Sequence, residues 1–230
     1  MIDLLETSAF FGVVISLAGY EAGQMLKKKF KKAFLNPLLI SIIAVMVFLC
    51  VFHVDYDKYY EGAKYLSYLL TPATVCLAIP LYQQLELLKK HKKALLIGIF
   101  AGGIASMGSV LGFAVLFGLT HEQYVTLLPK SITTAIGMGV SDEMGGIVTI
   151  TVAVIIVTGV VGNMTAEGIC KLFHIEEPIA KGIAIGSSSH AVGTTRAMEM
   201  GEIEGAMSSL AIVVSGLVTV AGVSVFAGFY

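Results

Sequence analysis

A short stretch of the chain, Ser187–Arg196, carries the residues best suited to binding a small anion. Arg196 is the single arginine among 15 basic residues. A guanidinium presents a planar fork of donors that matches a carboxylate with two parallel hydrogen bonds. A charge at membrane depth costs at least about 2.5–3.5 kcal/mol, so it needs a ligand or a compensating partner there. Arg196 is therefore a carboxylate-binding residue, a structural partner of Glu199 or another acid, or a side chain that snorkels to the interface.

Hydroxyl side chains cluster near this arginine and in a second polar stretch. They are Ser187, Ser188, Ser189, Thr194 and Thr195, together with Ser131, Thr133 and Thr134. If half-helices begin at these positions, their free backbone N–H groups and positive dipole ends also favour an anion. Serine and threonine are also small residues that permit close helix packing in membranes. The cluster therefore indicates either a binding site for a small carboxylate or a tightly packed helix contact.

Three titratable residues in the same stretches are candidates for binding a proton or a coupling cation: His190, Glu143 and Glu199. An unperturbed imidazole titrates at about pH 6.5, so His190 is either a proton carrier or a hydrogen-bonded structural residue. The two carboxylates either bind a coupling cation or pair locally. The sequence has no zinc-ligand spacing, no GxSxG motif and no phosphate-binding glycine loop. We expect no metal, no cofactor and no enzymatic activity.

The composition places these residues in a membrane protein. Of the 230 residues, 56% are hydrophobic and 13% are charged, whereas soluble domains carry about 25% charged residues. The net charge of −1 provides no basic surface for nucleic acid. The 3 cysteines lack CxxC spacing and do not form a disulfide framework. We expect an all-α polytopic protein whose residues 1–230 form a single integral membrane domain in the lipid bilayer.

Six apolar stretches approach the length of about 20 residues that a membrane span needs. They are about Leu4–Met25, Leu35–Phe52, Tyr65–Tyr82, Ala94–Leu119, Gly146–Asn163 and Met207–Phe229. The third contains Pro72 and Pro80, so we expect it to be kinked or partly unwound. The fourth carries two GxxxG spacings, beginning at Gly98 and Gly108, which allow another helix to approach closely.

The lysines predict the orientation of these spans. Lysine runs at 27–32 and 89–93 follow the first and third spans, and lysine-rich loops remain in the cytoplasm. Both termini and the tyrosine-rich loop Val54–Lys64 are then outside, and Met164–Lys181 lies at the cytoplasmic surface. Acidic residues replace the basic start of a signal peptide, so we expect the first span to be retained.

Two stretches, Leu127–Gly145 and Gly182–Gly205, are too polar to face lipid and too apolar to be solvated loops. At an offset of 56 positions they share several small residues and the triplet Glu-Met-Gly that begins at Glu143 and Glu199. If each stretch enters the membrane and returns on the same side, the repeat is inverted, as in many transporters with a site at the bilayer midplane. If both cross fully, the repeat is parallel and the chain has eight spans. We favour two re-entrant broken helices in an inverted repeat, with elements at about 127–163 and 182–229.

These polar stretches resemble a known family. The runs GSSSHAVGTTRAMEMGEIEGAMSSLA (Gly186–Ala211) and LLPKSITTAIGMGVSDEMGGI (Leu127–Ile147) are similar to those of the LrgB/CidB family of bacterial inner-membrane proteins. The likeness covers nearly the whole chain, although the family's TTPIAM reads TTAIGM here and lacks the proline. The resemblance implies an antiholin-like protein that modulates murein hydrolase export and autolysis with a small holin-like LrgA/CidA partner. Related proteins, including a plastid relative that fuses both halves, look like transporters of pyruvate, glycolate or glycerate.

Two functional hypotheses follow. The first is a secondary transporter or facilitator of small monocarboxylates, linked to the control of autolysis. The second is a regulator that does not transport and restrains a holin-like pore through helix contacts. An intramembrane hydrolase is a third and weaker alternative, because the serine, histidine and acidic residues lack the arrangement of a catalytic triad. In either of the first two cases we expect a homo-oligomer.

Overall fold

The computed structural model describes residues 10–30, 36–69, 72, 75–76, 78–83 and 85–230. These residues are largely helical, and no strand occurs among them, as the predicted all-α class requires. They form two compact units, residues 1–76 and 77–230, and each is described on its own below. That the whole chain forms one membrane domain stays a prediction.

The described part of the first unit contains three helices: α1 (Phe11–Phe30), α2 (Pro37–Phe52) and α3 (Tyr56–Ser67). The Asn36 side chain accepts hydrogen bonds from the first N–H groups of α2, and the Asp55 carboxylate does the same for α3. Such caps satisfy backbone donors that have no partner within the helix. The Asp55 cap explains why most of the predicted loop Val54–Lys64 is helical, which corrects the sequence expectation.

Glycines set the close approach of the helices in this unit. A Cβ atom on Gly23 of α1 would lie 2.7 Å from the Pro37 carbonyl oxygen of α2. The Ser16 and Tyr59 hydroxyls, on α1 and α3, lie 2.8 Å apart. The helices therefore meet at backbone distance, where no larger residue fits.

The predicted third span, Tyr65–Tyr82, is not one continuous helix. Helix α3 ends at Ser67, and a separate short helix, α4, covers Ala78–Gln83. Residues 70, 71, 73, 74 and 77 lie outside the described residues. Tyr68 and Leu69 form a turn after α3, and Pro72 follows, so the stretch is broken near this proline, which removes a backbone donor. Pro80 instead lies within α4.

The described part of the second unit contains α4 and six further helices. They are α5 (Leu85–Phe117), α6 (His121–Leu127), α7 (Thr134–Glu143), α8 (Val148–Leu172), α9 (Pro178–Met200) and α10 (Glu202–Ala227). Among the described residues, three helices are long and apolar enough to cross a membrane: Lys89–Phe117 of α5, α8 and α10. They match the fourth, fifth and sixth predicted spans. Helix α8 continues to Leu172, and Ala166 and Cys170 on it are buried, so the first half of the segment Met164–Lys181 is helical. That this segment lies at the cytoplasmic surface stays a prediction.

Helix α9 is interrupted at His190, as predicted for this polar stretch. His190 has φ 42° and ψ −142°, which a residue other than glycine rarely adopts. The break divides the helix into α9a (residues 178–189) and α9b (residues 191–200).

The two halves of α9 form a hairpin on α10. In α9a, Gly182 packs against Met207 and Gly186 against Ala211, so α9a and α10 run in the same direction. In α9b, Thr194 bonds to Ser208 and the side chain of Met198 contacts Gly205. Residue 194 contacts residue 208, and residue 198 contacts residue 205. Because the second number falls as the first rises, α9b runs in the opposite direction to α10. The chain thus enters, reverses at His190 and returns to the same end of α10.

The first polar stretch builds a similar hairpin on α8. The Thr151 hydroxyl lies 2.9 Å from the Thr126 carbonyl oxygen and 2.7 Å from the Ser141 hydroxyl, and Gly137 faces Ile155. Helix α7 therefore runs in the opposite direction to α8. At the offset of 56 positions, α6 and the turn at 128–133 correspond to 177–189, which includes α9a, and α7 corresponds to 190–199, which begins at the break. The break is present without the proline of the family motif.

The two hairpins lie on helices of opposite direction. His190 in the break contacts Ile155 of α8, and Arg196 of α9b pairs with Glu167 further along α8. Helix α9b thus runs in the same direction as α8 and in the opposite direction to α10. Consequently α8 and α10 are antiparallel.

Candidate functional site

A cavity of about 790 Å³ runs between α5 and α9a and ends at the turn of the first hairpin. Gly98 of α5 faces Ile183 of α9a, and Gly102 faces Ser187, so the two helices are parallel along the cavity. His91 and Glu177 line one end, and the other end contains only side chains from the middle of the helices and the hairpin turn. His91 and Ser106 are separated by about 22 Å of helix at 1.5 Å per residue. The cavity therefore reaches deep into the unit.

Polar groups from three elements meet at the deep end of this cavity. The Lys130 ammonium donates to the Ser106 hydroxyl at 3.2 Å and to the Ser131 hydroxyl at 3.0 Å. The Ser106 hydroxyl donates to Ser131 at 2.9 Å. Ser187 and Ser188 line the same cavity from α9a. The turn of the first hairpin and the end of α9a thus bring their polar side chains to one place.

The hydroxyls of Ser187 and Ser188 are bonded within α9a. The Ser187 hydroxyl donates to the Ile183 carbonyl at 2.7 Å, and the Ser188 hydroxyl donates to the Ala184 carbonyl at 2.7 Å. Each hydroxyl oxygen retains acceptor capacity on its cavity side, because a hydroxyl has one donor and two lone pairs. These residues therefore provide polar but uncharged walls.

Beyond the deep end, a tightly packed apolar cluster closes the unit. It consists of residues on α5, the first hairpin and α10, and its most buried members, at most 1% exposed, are Met107, Ala114, Tyr124, Val125, Leu128, Ile132 and Val223. The Tyr124 hydroxyl donates to the Phe226 carbonyl at 2.8 Å. We call these residues the apolar seal. The apolar seal thus lies beyond the deep end of the cavity, and His91 and Glu177 line its other end. The cavity is also partly open along its side, where Ala105, Ala184 and Ser188 are exposed.

Arg196 lies elsewhere. Its guanidinium pairs with Glu167 and lies 2.6 Å from Glu199, and Glu167 also pairs with Lys171 at 2.9 Å. These residues line a separate cavity of about 420 Å³ near the end of α8. Of the predicted site residues, Ser131, Ser187 and Ser188 therefore line the first cavity, and Arg196 and Glu199 line the second.

The residues around the break in α9 pack inward. His190 is 3% exposed, and its Nε2 atom lies 2.9 Å from the Ile155 carbonyl oxygen. Ser189 is buried against Gly162. The buried Thr194 hydroxyl bonds to Ser208 at 2.7 Å, while Thr195 is exposed and accepts from the Asn163 amide at 3.0 Å. These four residues anchor the hairpin to α8 and α10.

The remaining predicted residues lie on α7. Thr133 precedes its first residue, Thr134, and makes no side-chain capping hydrogen bond; both are half-buried. Glu143 is exposed at the other end of the helix. The structure does not bring Glu143 together with Glu199.

Lys130 and Ser106 are the polar residues that the sequence analysis missed. Lys130 stands within the polar stretch Leu127–Gly145, next to Pro129, in contrast to the lysines of the topogenic loops. This position could have identified Lys130 as a candidate site residue from the sequence. Ser106 carries no such signal, because it is a single serine within the apolar run of α5.

Comparison with known proteins decides the family. The model of the LrgB-like family matches residues 16–229. The chain belongs to this family. LrgB-like relatives named antiholin-like protein LrgB occur in Bacillus mycoides (strain KBAB4), Bacillus cereus (strain B4264) and Bacillus anthracis (strain CDC 684 / NRRL 3495), each 39% identical over 221 residues, or 96% of both chains. No solved structure matches the chain. The family match includes both hairpins and the cavity.

Proposed function

We propose that this LrgB-like protein is a secondary transporter or facilitator of small monocarboxylates such as pyruvate or glycolate in the bacterial inner membrane. About six spans, with both termini outside, agree with the apolar helices and with the lysine-rich segments at 27–32 and 89–93. In this orientation the His91 end of the cavity faces the cytoplasm. A change in carboxylate flux would link the protein to autolysis indirectly.

The two hairpins support an inverted repeat. Each consists of an incoming segment, a break and a helix of about ten residues, followed by a long apolar helix, and the two long helices are antiparallel. Broken helices at membrane depth are tolerated where they line a cavity or lie within protein. Transporters of several folds place their site at such a repeat interface near the midplane.

One observation carries the proposal: the turn of the first hairpin and the end of α9a meet at the deep end of a cavity that is closed beyond them by the apolar seal. A polar site with an apolar seal on one side of it is what we expect of a carrier that opens to one face of the membrane at a time. A channel would instead need a continuous polar path.

Uptake by proteoliposomes tests the transport function. Purified protein in liposomes is expected to accumulate labelled pyruvate or glycolate faster than protein-free liposomes, and a dicarboxylate of similar size is expected to enter more slowly. Equal uptake with and without protein, for every small monocarboxylate tried in both directions, would rule out the carrier.

Labelling of a single cysteine tests the direction of the cavity. In a background with Cys50, Cys76 and Cys170 replaced by serine, Ala184→Cys places a thiol on the exposed cavity wall. An impermeant maleimide is expected to label it from the cytoplasmic side. Val213→Cys on the exposed face of α10 provides a matched control outside the cavity. Labelling of the Ala184→Cys variant from the outside alone would reverse the proposed orientation.

A second candidate function is regulation of murein hydrolase export through a small LrgA/CidA-like membrane partner. It is supported by the name of the relatives, antiholin-like protein LrgB, and by an open face on α5. A Cβ atom added at Gly108 or Gly112 would meet none of the described residues within 4 Å, so within the second unit this GxxxG face is uncovered and suits a helix of a partner or of a second copy of the chain. Gly108→Ile is expected to weaken cross-linking to that partner without affecting the fold. If cross-linking and autolysis change while carboxylate uptake does not, regulation is the better description.

We propose no enzymatic function. A serine nucleophile needs a nearby general base, but the His190 imidazole bonds to the Ile155 carbonyl, and the hydroxyls of Ser187 and Ser188 bond to helix carbonyls. Lack of labelling by serine-reactive probes would agree with this expectation, and a stable adduct on Ser187 or Ser188 would contradict it.

A further inference from the structure

Among the positively charged side chains of the described residues, Lys130 is distinguished by its position and by its hydrogen-bond partners. It is half-buried at the turn of the first hairpin, and its ammonium is bonded to two neutral hydroxyls, those of Ser106 and Ser131. Within the described part of the chain, no carboxylate lies within ion-pair distance of it. By contrast, Arg196 is shared between two carboxylates.

The position of Lys130 makes an uncompensated charge costly. It stands at the deep end of a cavity about 22 Å long, in a bilayer whose hydrocarbon core is about 30 Å thick. A lysine at such depth costs about 2.5–3.5 kcal/mol or more on insertion scales. A cation that is kept there without an acidic partner, facing a cavity, is typical of a site that receives its counter-charge from a ligand.

The geometry around Lys130 fits one carboxylate. An ammonium has three donors, and two of them are directed at Ser106 and Ser131, so one remains for a ligand in the cavity. The hydroxyls of Ser106 and Ser131 also orient the ammonium. A single point charge balances a monoanion, whereas a second carboxylate would have to be desolvated among the uncharged walls of Ser187 and Ser188.

We propose that the Lys130 ammonium binds the carboxylate of a small monocarboxylate, and that Ser106 and Ser131 hold it in position. This assignment rests on the carrier function proposed above and names the residue that recognises the substrate. Arg196 forms ion pairs at a separate cavity. Lys130 is therefore the cation that remains for the substrate at the deep end of the first cavity.

Binding and uptake are measured together to test this assignment. Pyruvate and glycolate are expected to raise the melting temperature of the wild-type protein in detergent. Lys130→Met is expected to lower their affinity by about 10- to 100-fold, because a hydrogen bond to a charged group contributes about 1.5–3 kcal/mol. Lys90→Met, at an exposed position on α5, is the matched control and is expected to bind like the wild type.

If Lys130→Met folds poorly, a second variant whose charge can be restored chemically keeps the test valid. Lys130→Cys, in the background without Cys50, Cys76 and Cys170, is expected to bind weakly. Disulfide attachment of an aminoethyl group with 2-aminoethyl methanethiosulfonate is expected to restore binding, and the neutral methyl reagent is expected not to. Confirmed modification without recovery of binding would count against the assignment.

The outcomes separate the two proposals. If the wild type binds monocarboxylates and Lys130→Met does not, but neither is transported, the carrier function fails and the Lys130 site stands. If the wild type transports and Lys130→Met binds and transports equally well, the Lys130 assignment is overturned and the carrier function stands. If Arg196→Gln alone abolishes binding in a folded protein, the carboxylate is recognised at the second cavity instead.

Discussion

Replacing Gly186 by alanine tests the contact on which the second hairpin depends. A Cβ atom at this position would lie 2.8 Å from the Ala211 Cβ and closer still to the backbone oxygen of Ser208 on α10. Backbone atoms cannot move aside as the end of a flexible side chain can, so α9a must move away from α10. Such overpacking costs about 1–3 kcal/mol. The gain in helix propensity from glycine to alanine, about 1 kcal/mol, offsets part of this cost.

Gly108→Ala is the matched control. It makes the same change of residue within α5, but its Cβ atom meets none of the residues that the structure describes within 4 Å, so only the propensity gain of about 1 kcal/mol remains. The two variants are therefore expected to differ by about 1–3 kcal/mol in unfolding free energy. For a chain of this size, this corresponds to roughly 2–12 °C in melting temperature at about 2–4 °C per kcal/mol.

Thermal unfolding in detergent measures the difference. Cys170 is 4% exposed, so a thiol-reactive dye reports its exposure on unfolding once the exposed Cys50 and Cys76 have been replaced by serine. Gly186→Ala is expected to melt below the parent protein and Gly108→Ala at or above it. If Gly186→Ala melts as high as Gly108→Ala, α9a does not lie at backbone distance from α10, and the hairpin described here is wrong.

Three further predictions follow from contacts in the second unit. Arg196→Gln removes two half-exposed ion pairs, so a loss of about 1 kcal/mol or less per pair is expected; uptake by proteoliposomes should be retained, and its loss in a folded variant would make Arg196 a binding residue. His190→Ala removes the imidazole hydrogen bond to the Ile155 carbonyl, which keeps its helical bond within α8, so a loss of about 0.5–1.5 kcal/mol is expected. His190→Gly loses the same bond but relieves the positive φ; the glycine variant should therefore melt higher, and the reverse order would contradict the break at His190. Thr151→Val removes the hydroxyl that joins Thr126 to Ser141 and should cost about 1–3 kcal/mol in a melting experiment, while Thr165→Val, at an exposed site of the same helix, should cost little.

Much of the architecture was predictable from periodicity and composition. The apolar runs predicted α5, α8 and α10 because a membrane span must be long and uncharged. The offset of 56 positions predicted two related polar elements, and the glycine, serine and threonine content indicated a break near His190. The extension of α8 to Leu172 was missed because Glu167 and Lys171 made this end look like a surface loop, although their pairing at one face leaves Ala166 and Cys170 to be buried.

The candidate site was less predictable. Arg196 stood out because it is the single arginine and because a guanidinium suits a carboxylate. Neither property shows which side chains the guanidinium contacts. Glu167 lies 29 residues away in the sequence, and only the parallel course of α9b and α8 brings it to Arg196. Lys130 was passed over because lysines elsewhere in the chain mark cytoplasmic loops. Its meeting with Ser106 depends on a hairpin turn whose direction no local pattern specifies.

The shared use of α8 has a mechanical consequence. Its first half supports α7 through Thr151 and Ile155, and its second half supports α9b through Gly159 and Glu167. A tilt of α8 would move both hairpins at once, and in opposite directions about the middle of the helix. In the carrier proposed above, such a tilt would couple the movement of one hairpin to that of the other.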